Sequence, residues 1–210
     1  MAISFVARQN LVTQNLSNIY DSVSSGRQYL TVIAHISEGP SNAATKSWFE
    51  TYPKTDPNGK VMADSQQYAG AHFGIEKNGL VDQFVDTQYI CWGAGAANVH
   101  AIHVENVGVV GESLTDDQIE MLGNLLAWAN QVHGIAVQLN FPFQVSADSQ
   151  NTPPISSSFY APLNTGLGFH AQYGGHPQCP GAAIVGQLPA VVQIAQDVGS
   201  GTRAWRMVTA

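Results

Sequence analysis

The sequence has 210 residues, a length that suits one domain with a sizeable core. Hydrophobic residues make up 44% and charged residues only 11%, which is not the polar, highly charged composition of a disordered chain. The formal net charge is −7, and the eight lysines and arginines form no basic stripe, so a nucleic-acid partner is not expected.

No apolar run is long enough to span a bilayer. The first residues, from Met1 to Arg8, lack the basic start and long apolar stretch of a secretory leader. Residues 1–28 read as a polar N-terminal extension, with a short helix expected around Val12–Val23. The first strong strand is Tyr29–His35, whose nearly continuous apolarity marks a central buried strand. A Gly39-Pro40-Ser41 turn follows, and Ser41 can cap a helix reaching about Glu50. Residues 52–68 form a turn-rich excursion.

A hairpin comes next. Ala71–Glu76 alternates, Asn78-Gly79 makes the tight turn, and Leu80–Val85 returns. The small-residue loop Gly93–Ala97 leads to a strand at Ala101–Val107. The clearest helix runs from Thr115 to His133, because Thr115 and Gln118 form a capping box and apolar residues then recur at helical spacing. Gly134 stops it. Residues 140–165, rich in Ser, Pro, Asn and Thr, read as a long surface loop. A last helix is expected from near Pro180 through Ile184–Ala195, with Pro189 as a kink or restart. Residues 199–210 form a tail too short to be a domain. The order of elements predicts an α/β (α+β) single domain, with a central mixed β-sheet flanked by helices, over residues 29–198.

Seven histidines and two cysteines supply the candidate chemistry. His35 ends the first buried strand, His170 lies in Gly168-Phe169-His170, and Cys179 follows in Cys179-Pro180-Gly181. Two imidazoles and a thiolate suit zinc, and three protein ligands leave a fourth position open, as in catalytic sites. Spacing alone favours the plainer reading, in which His35 is a hydrogen-bonded core histidine and Cys179 a small buried hydrophobe. A Cys91–Cys179 disulfide is a further use of the two thiols, less favoured than metal binding. His72 reads as a buried hydrogen-bonding residue and His133 as a helix-end histidine that suits the helix dipole. His103 can play either a buried or a groove-facing part. Trp92, Tyr89 and Tyr173 can line a groove for sugar or peptide, or pack in the core.

The ordered set of motifs changes the balance. Val32-Ile33-Ala34-His35, Ala71-His72-Phe73-Gly74-Ile75 with Asn78-Gly79-Leu80-Val81, Trp92-Gly93-Ala94-Gly95, Ala101-Ile102-His103-Val104-Glu105, Leu114-Thr115-Asp116-Asp117-Gln118, Gly168-Phe169-His170 and Cys179-Pro180-Gly181 occur in one order. Together they resemble the type 2 N-acetylmuramoyl-L-alanine amidases, the family that includes phage lysozyme-type amidases and peptidoglycan recognition proteins, over about Tyr29 to Ala195. The resemblance implies a Zn2+ cofactor held by His35, His170 and Cys179, with Glu105 as the proton-handling carboxylate. It implies a peptidoglycan (muropeptide) substrate cut between N-acetylmuramic acid and L-alanine, and action on the cell wall, reached by lysis where no leader is present. Trp92 and Tyr173 are then candidates for substrate binding.

Three departures accompany the resemblance. Ala34-His35-Ile36 stands where the family often has His-His-Thr, and Gly93 stands where it often has the histidine of W-H-A-G. The lysine often found two residues before the last ligand is Pro177 here. His176, one residue earlier, can take over stabilisation of the oxyanion or be a surface loop histidine. A His176-x-x-Cys179 ligand pair is also sterically open, though the Gly-Phe-His context favours His170. The alternative to an enzyme is a non-catalytic peptidoglycan-binding protein of the same fold.

Overall fold

The computed structural model describes residues 7–21, 28–56, 58–63, 67–140, 165–173, 176 and 178–206. The strands are β1 (Arg8–Gln9), β2 (Tyr20–Asp21), β3 (Thr31–Ile36), β4 (Phe73–Ile75), β5 (Val81–Gln83), β6 (Ile90–Cys91), β7 (Ala101–Asn106) and β8 (Gly166–Phe169). The helices are α1 (Asn42–Glu50), α2 (Asp116–His133) and α3 (Ala182–Gly199). Six strands form one mixed sheet in the order β1-β5-β4-β7-β3-β8, in which only β4 and β5 pair antiparallel. β2 and β6 form a separate two-stranded sheet. The expected mixed sheet flanked by helices is the architecture found.

β3 is buried along its whole length, and its period of two sorts its residues between two faces. Val32, Ala34 and Ile36 join Ile102 and Val104 of β7 and the apolar sides of α2 and α3 in the main core. Ile33 packs on the opposite face with Ala94, Ala97 and Ala101. His35 shares that second face, as do His103 and Glu105 of β7, because β3 and β7 are in register with Ile33 opposite His103 and His35 opposite Glu105. The same alternation that builds the core therefore delivers three polar side chains to one side of the sheet.

The two long helices pack on the core face. Trp128 of α2 is 1% exposed and meets Phe73 edge-on at 5.5 Å. The helices approach closely at Gly123, where an added Cβ would lie 2.6 Å from Ile194 Cγ2. The expected capping box is formed: Thr115 Oγ1 accepts from the Gln118 N–H and Gln118 Oε1 accepts from the Thr115 N–H, both at 3.1 Å. Gly134 closes the helix at φ 73°. The hairpin turn sits at Asn78-Gly79, with Gly79 at φ 82°.

Several expectations are corrected. Val12–Val23 is not a helix in its described part, 12–21. The N–H groups of Asn10 and Val12 donate to Gln83 and Phe84 carbonyls on the sheet edge, and Asn15 adopts a left-handed φ of 52° that stops helix propagation. Only the 3-10 turn Leu16–Asn18 remains. Arg8 anchors the segment through a bidentate ion pair with buried Asp82, at 2.6 and 3.0 Å. Pro189 does not restart the last helix. α3 runs through it, with the ring on the exposed side. Cys91 and Cys179 do not form the disulfide: Cys91 packs with Ile19, Phe84 and Val85, away from Cys179. The expected 140–165 loop lies, except for Asn140 and Thr165, outside the described residues.

Candidate metal centre

The C-terminal ends of β3 and β7 open into a groove of about 1220 Å³. Its lining includes His35, Glu105, Trp92, His170, Tyr173, His176 and Cys179, seven of the residues singled out from the sequence. His35 reaches the groove as the fifth residue of β3. His170 follows directly from β8, the neighbour of β3, and begins a 3-10 turn over His170–Tyr173. Cys179 stands just before α3, tied back by its carbonyl, which accepts from the Ala171 N–H at 2.8 Å.

His35, His170 and Cys179 converge, and one ligand atom from each lies within 4.8 Å of the others. His35 Nδ1 is 3.1 Å from His170 Nδ1 and 4.0 Å from Cys179 Sγ. Zinc bonds of about 2.0–2.3 Å in tetrahedral geometry place donor atoms about 3.3–3.6 Å apart. The observed spacing needs adjustments of about an ångström or less to meet that figure.

The electrostatics also suit a cation. Burial pushes His170 down to about 3, with the neighbouring His176 adding to the effect. Burial likewise holds His35 well below the usual imidazole range, helped by His170, His103 and His176. Both rings are therefore neutral, the form that gives a lone pair to a metal. Burial, then the nearby Glu105 charge, push the Cys179 thiol up, while a hydrogen bond from the Ile36 N–H at 3.4 Å opposes them. Burial raises Glu105 to about 8. Its enclosed Oε2 has no hydrogen-bond partner among the described residues. A divalent cation beside these groups favours both the thiolate and the carboxylate. The donor set and the unpartnered carboxylate oxygen thus fit a zinc ion.

The other candidates fall into place around this cluster. His176 is exposed, with its ring 4.8 Å from that of His170. Trp92 donates its indole N–H to the Ser17 carbonyl at 3.1 Å and packs edge-on to Tyr68. Tyr173 lines the groove, while its hydroxyl lies 3.4 Å from both Thr31 Oγ1 and Asn140 Nδ2. Tyr89 is not part of the groove lining and stacks on Tyr20 at 4.7 Å. His133 Nε2 lies 3.0 Å from Thr87 Oγ1, as suits a structural residue.

The groove has further walls that the motifs did not indicate. Trp48 and Tyr68 are 42% and 52% exposed and line it beside Trp92. A signal for Trp48 was present: it adjoins the buried Phe49 on α1 and so lies off the helix's packed face. Tyr68 falls in the turn-rich excursion, where no periodicity marks it.

Comparison with known proteins follows the same lines. The family model described as N-acetylmuramoyl-L-alanine amidase matches residues 25–182. Among curated proteins no relative matches significantly. Among solved structures, a selenomethionine derivative of AmpD is similar at a TM-score of 0.60 and 14% identity, over 91% of this chain and 99% of that one. A point mutant of PlyL is similar at 0.55 and 13%, over 90% and 98%. Drosophila peptidoglycan recognition protein SD is similar at 0.51 and 13%, over 79% and 82%. At these identities the structural likeness speaks for the fold, and the family match spans most of the sequence. The chain belongs to the type 2 N-acetylmuramoyl-L-alanine amidase family, whose fold it shares with the peptidoglycan recognition proteins.

Proposed function

We propose that this chain is a zinc-dependent N-acetylmuramoyl-L-alanine amidase, which hydrolyses the amide between the lactyl group of N-acetylmuramic acid and the L-alanine of the stem peptide. The observation that carries this reading is the convergence of His35, His170 and Cys179 in a groove that also holds an unpartnered Glu105 carboxylate. The catalytic unit in this reading spans 29–198, with 1–28 and 199–210 as flanking segments.

Zinc held by the three ligands supplies Lewis acidity toward the amide carbonyl and acidifies a water molecule to a pKa of about 7. Glu105 acts as the general base and then the general acid. Its carboxylate takes a proton from the attacking water and returns it to the alanine nitrogen as the C–N bond breaks. His176, on the connection between β8 and α3, donates a hydrogen bond to the carbonyl oxygen as negative charge builds there. Trp92 and Tyr173 offer ring faces that orient the sugar and peptide on either side of the scissile bond. The outcome is cell-wall degradation, and a bacteriolytic or endolysin role follows if the chain reaches the wall by lysis.

The test is mass spectrometry of muropeptides digested with the zinc-loaded and the chelator-stripped chain. Free N-terminal L-alanine stem peptides should appear only with zinc and return when zinc is restored. Retention of muropeptides without cleavage by the zinc-loaded chain overturns the hydrolase and leaves the binding-protein reading.

A further inference from the structure

We propose that His103 is the positioning residue that fixes the ring of His35 for metal binding, and that position 93 is glycine because the His103 ring occupies the space beside it. The inference rests on the metal-centre reading above.

His35 has two ring nitrogens with separate neighbours. Nδ1 faces His170 and Cys179, and Nε2 lies 3.0 Å from His103 Nδ1. A neutral imidazole that gives its Nδ1 lone pair to a cation carries its proton on Nε2. That N–H then donates to His103 Nδ1. Metal-binding histidines generally have such a partner, most often a carboxylate, a carbonyl or water, and its loss typically costs about 10–100-fold in metal affinity. Here the partner is an imidazole on the neighbouring strand.

His103 is itself held on several sides. It is 0% exposed and stacks on His72, with centroids 5.9 Å apart and planes 7° apart. His72 is locked as well: its Nδ1 accepts from the His103 backbone N–H at 3.0 Å, so its Nε2–H donates to the Tyr89 carbonyl at 3.0 Å. On another side lies Gly93. A Cβ there would stand 2.6 Å from His103 Nδ1, the accepting atom, and 2.8 Å from Cγ. The backbone at 93 has little room to withdraw, since the N–H groups of Gly93 and Ala94 both donate to Asn98 Oδ1, at 3.0 and 2.6 Å. Glycine at 93 and histidine at 103 are thereby a coupled pair.

The test measures zinc affinity by competition with a chromophoric chelator, on the full chain. The wild type should bind one zinc per chain. His103→Phe keeps a ring but no acceptor and should lose about 10–100-fold in affinity. His103→Asn, whose Oδ1 can take the place of Nδ1, should stay within about threefold of the wild type, as expected when the retained group is the one that matters. Gly93→Ala should weaken zinc binding in the wild-type background and change nothing in a His103→Ala background, as expected of a coupled pair. Nitrogen NMR of the zinc-loaded wild type should show His35 protonated at Nε2, a readout that depends on no variant.

A folded His103→Phe chain with wild-type affinity, or a His35 ring protonated at Nδ1 in the loaded protein, overturns the inference while the metal centre stands. A wild-type chain that takes up no stoichiometric zinc overturns the metal centre itself and the inference with it.

Discussion

The candidate site has a strand-borne half and a loop-borne half, held by different forces. His35, His103 and Glu105 sit on β3 and β7, whose ladder pairs Thr31–Ile36 with Ala101–Asn106 residue by residue. Asn106 Nδ2 adds a bond to the His35 carbonyl at 2.9 Å. His170, His176 and Cys179 stand on the turn and short connection between β8 and α3, where His176 is exposed and Cys179 only half-buried. A register-locked pair cannot shift one side chain without moving the core behind it. A connection can shift by an ångström at small cost, which is the size of adjustment the three ligand atoms need to share an ion. In the proposed reading the strands would fix where the chemistry occurs, and the connection would close the site around a cation.

The sharpest way to break this comparison is to remove a ligand from the loop-borne half. Cys179→Ala should lower zinc affinity by on the order of 10³-fold, since the thiolate is the one anionic ligand of the three. Amide cleavage should fall with it. Chelator competition on the purified variant reads the first, and mass spectrometry of digested muropeptides the second. Retained tight zinc binding would show that the connection does not complete the site.

Next comes the strand-borne half. Glu105→Gln preserves shape and burial but removes the proton acceptor. Its kcat should drop by about 10²–10⁴-fold, the usual worth of a general acid–base group. Zinc stoichiometry should remain one per chain. A variant that keeps most of its turnover would separate Glu105 from the chemistry and leave it a buried carboxyl with an unpartnered oxygen.

A smaller effect is expected for His176→Ala. A preorganised, buried oxyanion donor is worth about 10²–10³ in kcat, and an exposed donor on a connection should be worth about tenfold. Zinc affinity should stay unchanged, because His170 rather than His176 faces His35 Nδ1. Loss of zinc in this variant would mean that the His176-x-x-Cys179 pair is the ligand set, so the measurement also decides between the two histidines.

The same division governs what could be read from the amino-acid order. The strand half was legible in large part from physics: a continuous apolar run announced β3 with His35 at its end, and alternation announced the hairpin, while Glu105 on the next strand stood out through the resemblance. The pairing of β3 with β7 in parallel was not legible, because partner choice depends on packing across the whole sheet. The loop half carried no periodicity. His170 and Cys179 stood out through the ordered motifs, while spacing alone favoured a structural reading. The segment before β3 was misread as a helix, since its hydrogen bonds to Gln83 and Phe84 are long-range and leave no local trace. His103 was left open between a buried and a groove-facing part, because its partner at His35 Nε2 appears only once the two strands are paired.

The smallest effect tests whether the core behind the strands can be weakened without touching the site. Thr115 caps α2 on the face of the sheet opposite the groove. Its Oγ1 accepts from Gln118 N–H and donates to the Lys77 carbonyl at 2.7 Å, which ties the helix start to the hairpin turn. Thr115→Ala removes both bonds and should lower unfolding free energy by about 1 kcal/mol, the usual cost of losing such a cap. Denaturant melts should therefore show a lower midpoint with an unchanged slope. Gln118 Nε2 still donates to the Ile75 and Val107 carbonyls, at 3.2 and 2.9 Å, so the hairpin and the end of β7 keep their attachment to the helix. Zinc affinity and turnover should accordingly match the wild type. If either falls along with stability, the strand ends are not rigidly placed by their own ladder but borrow their position from the helix, and the contrast between a fixed half and an adjustable half fails.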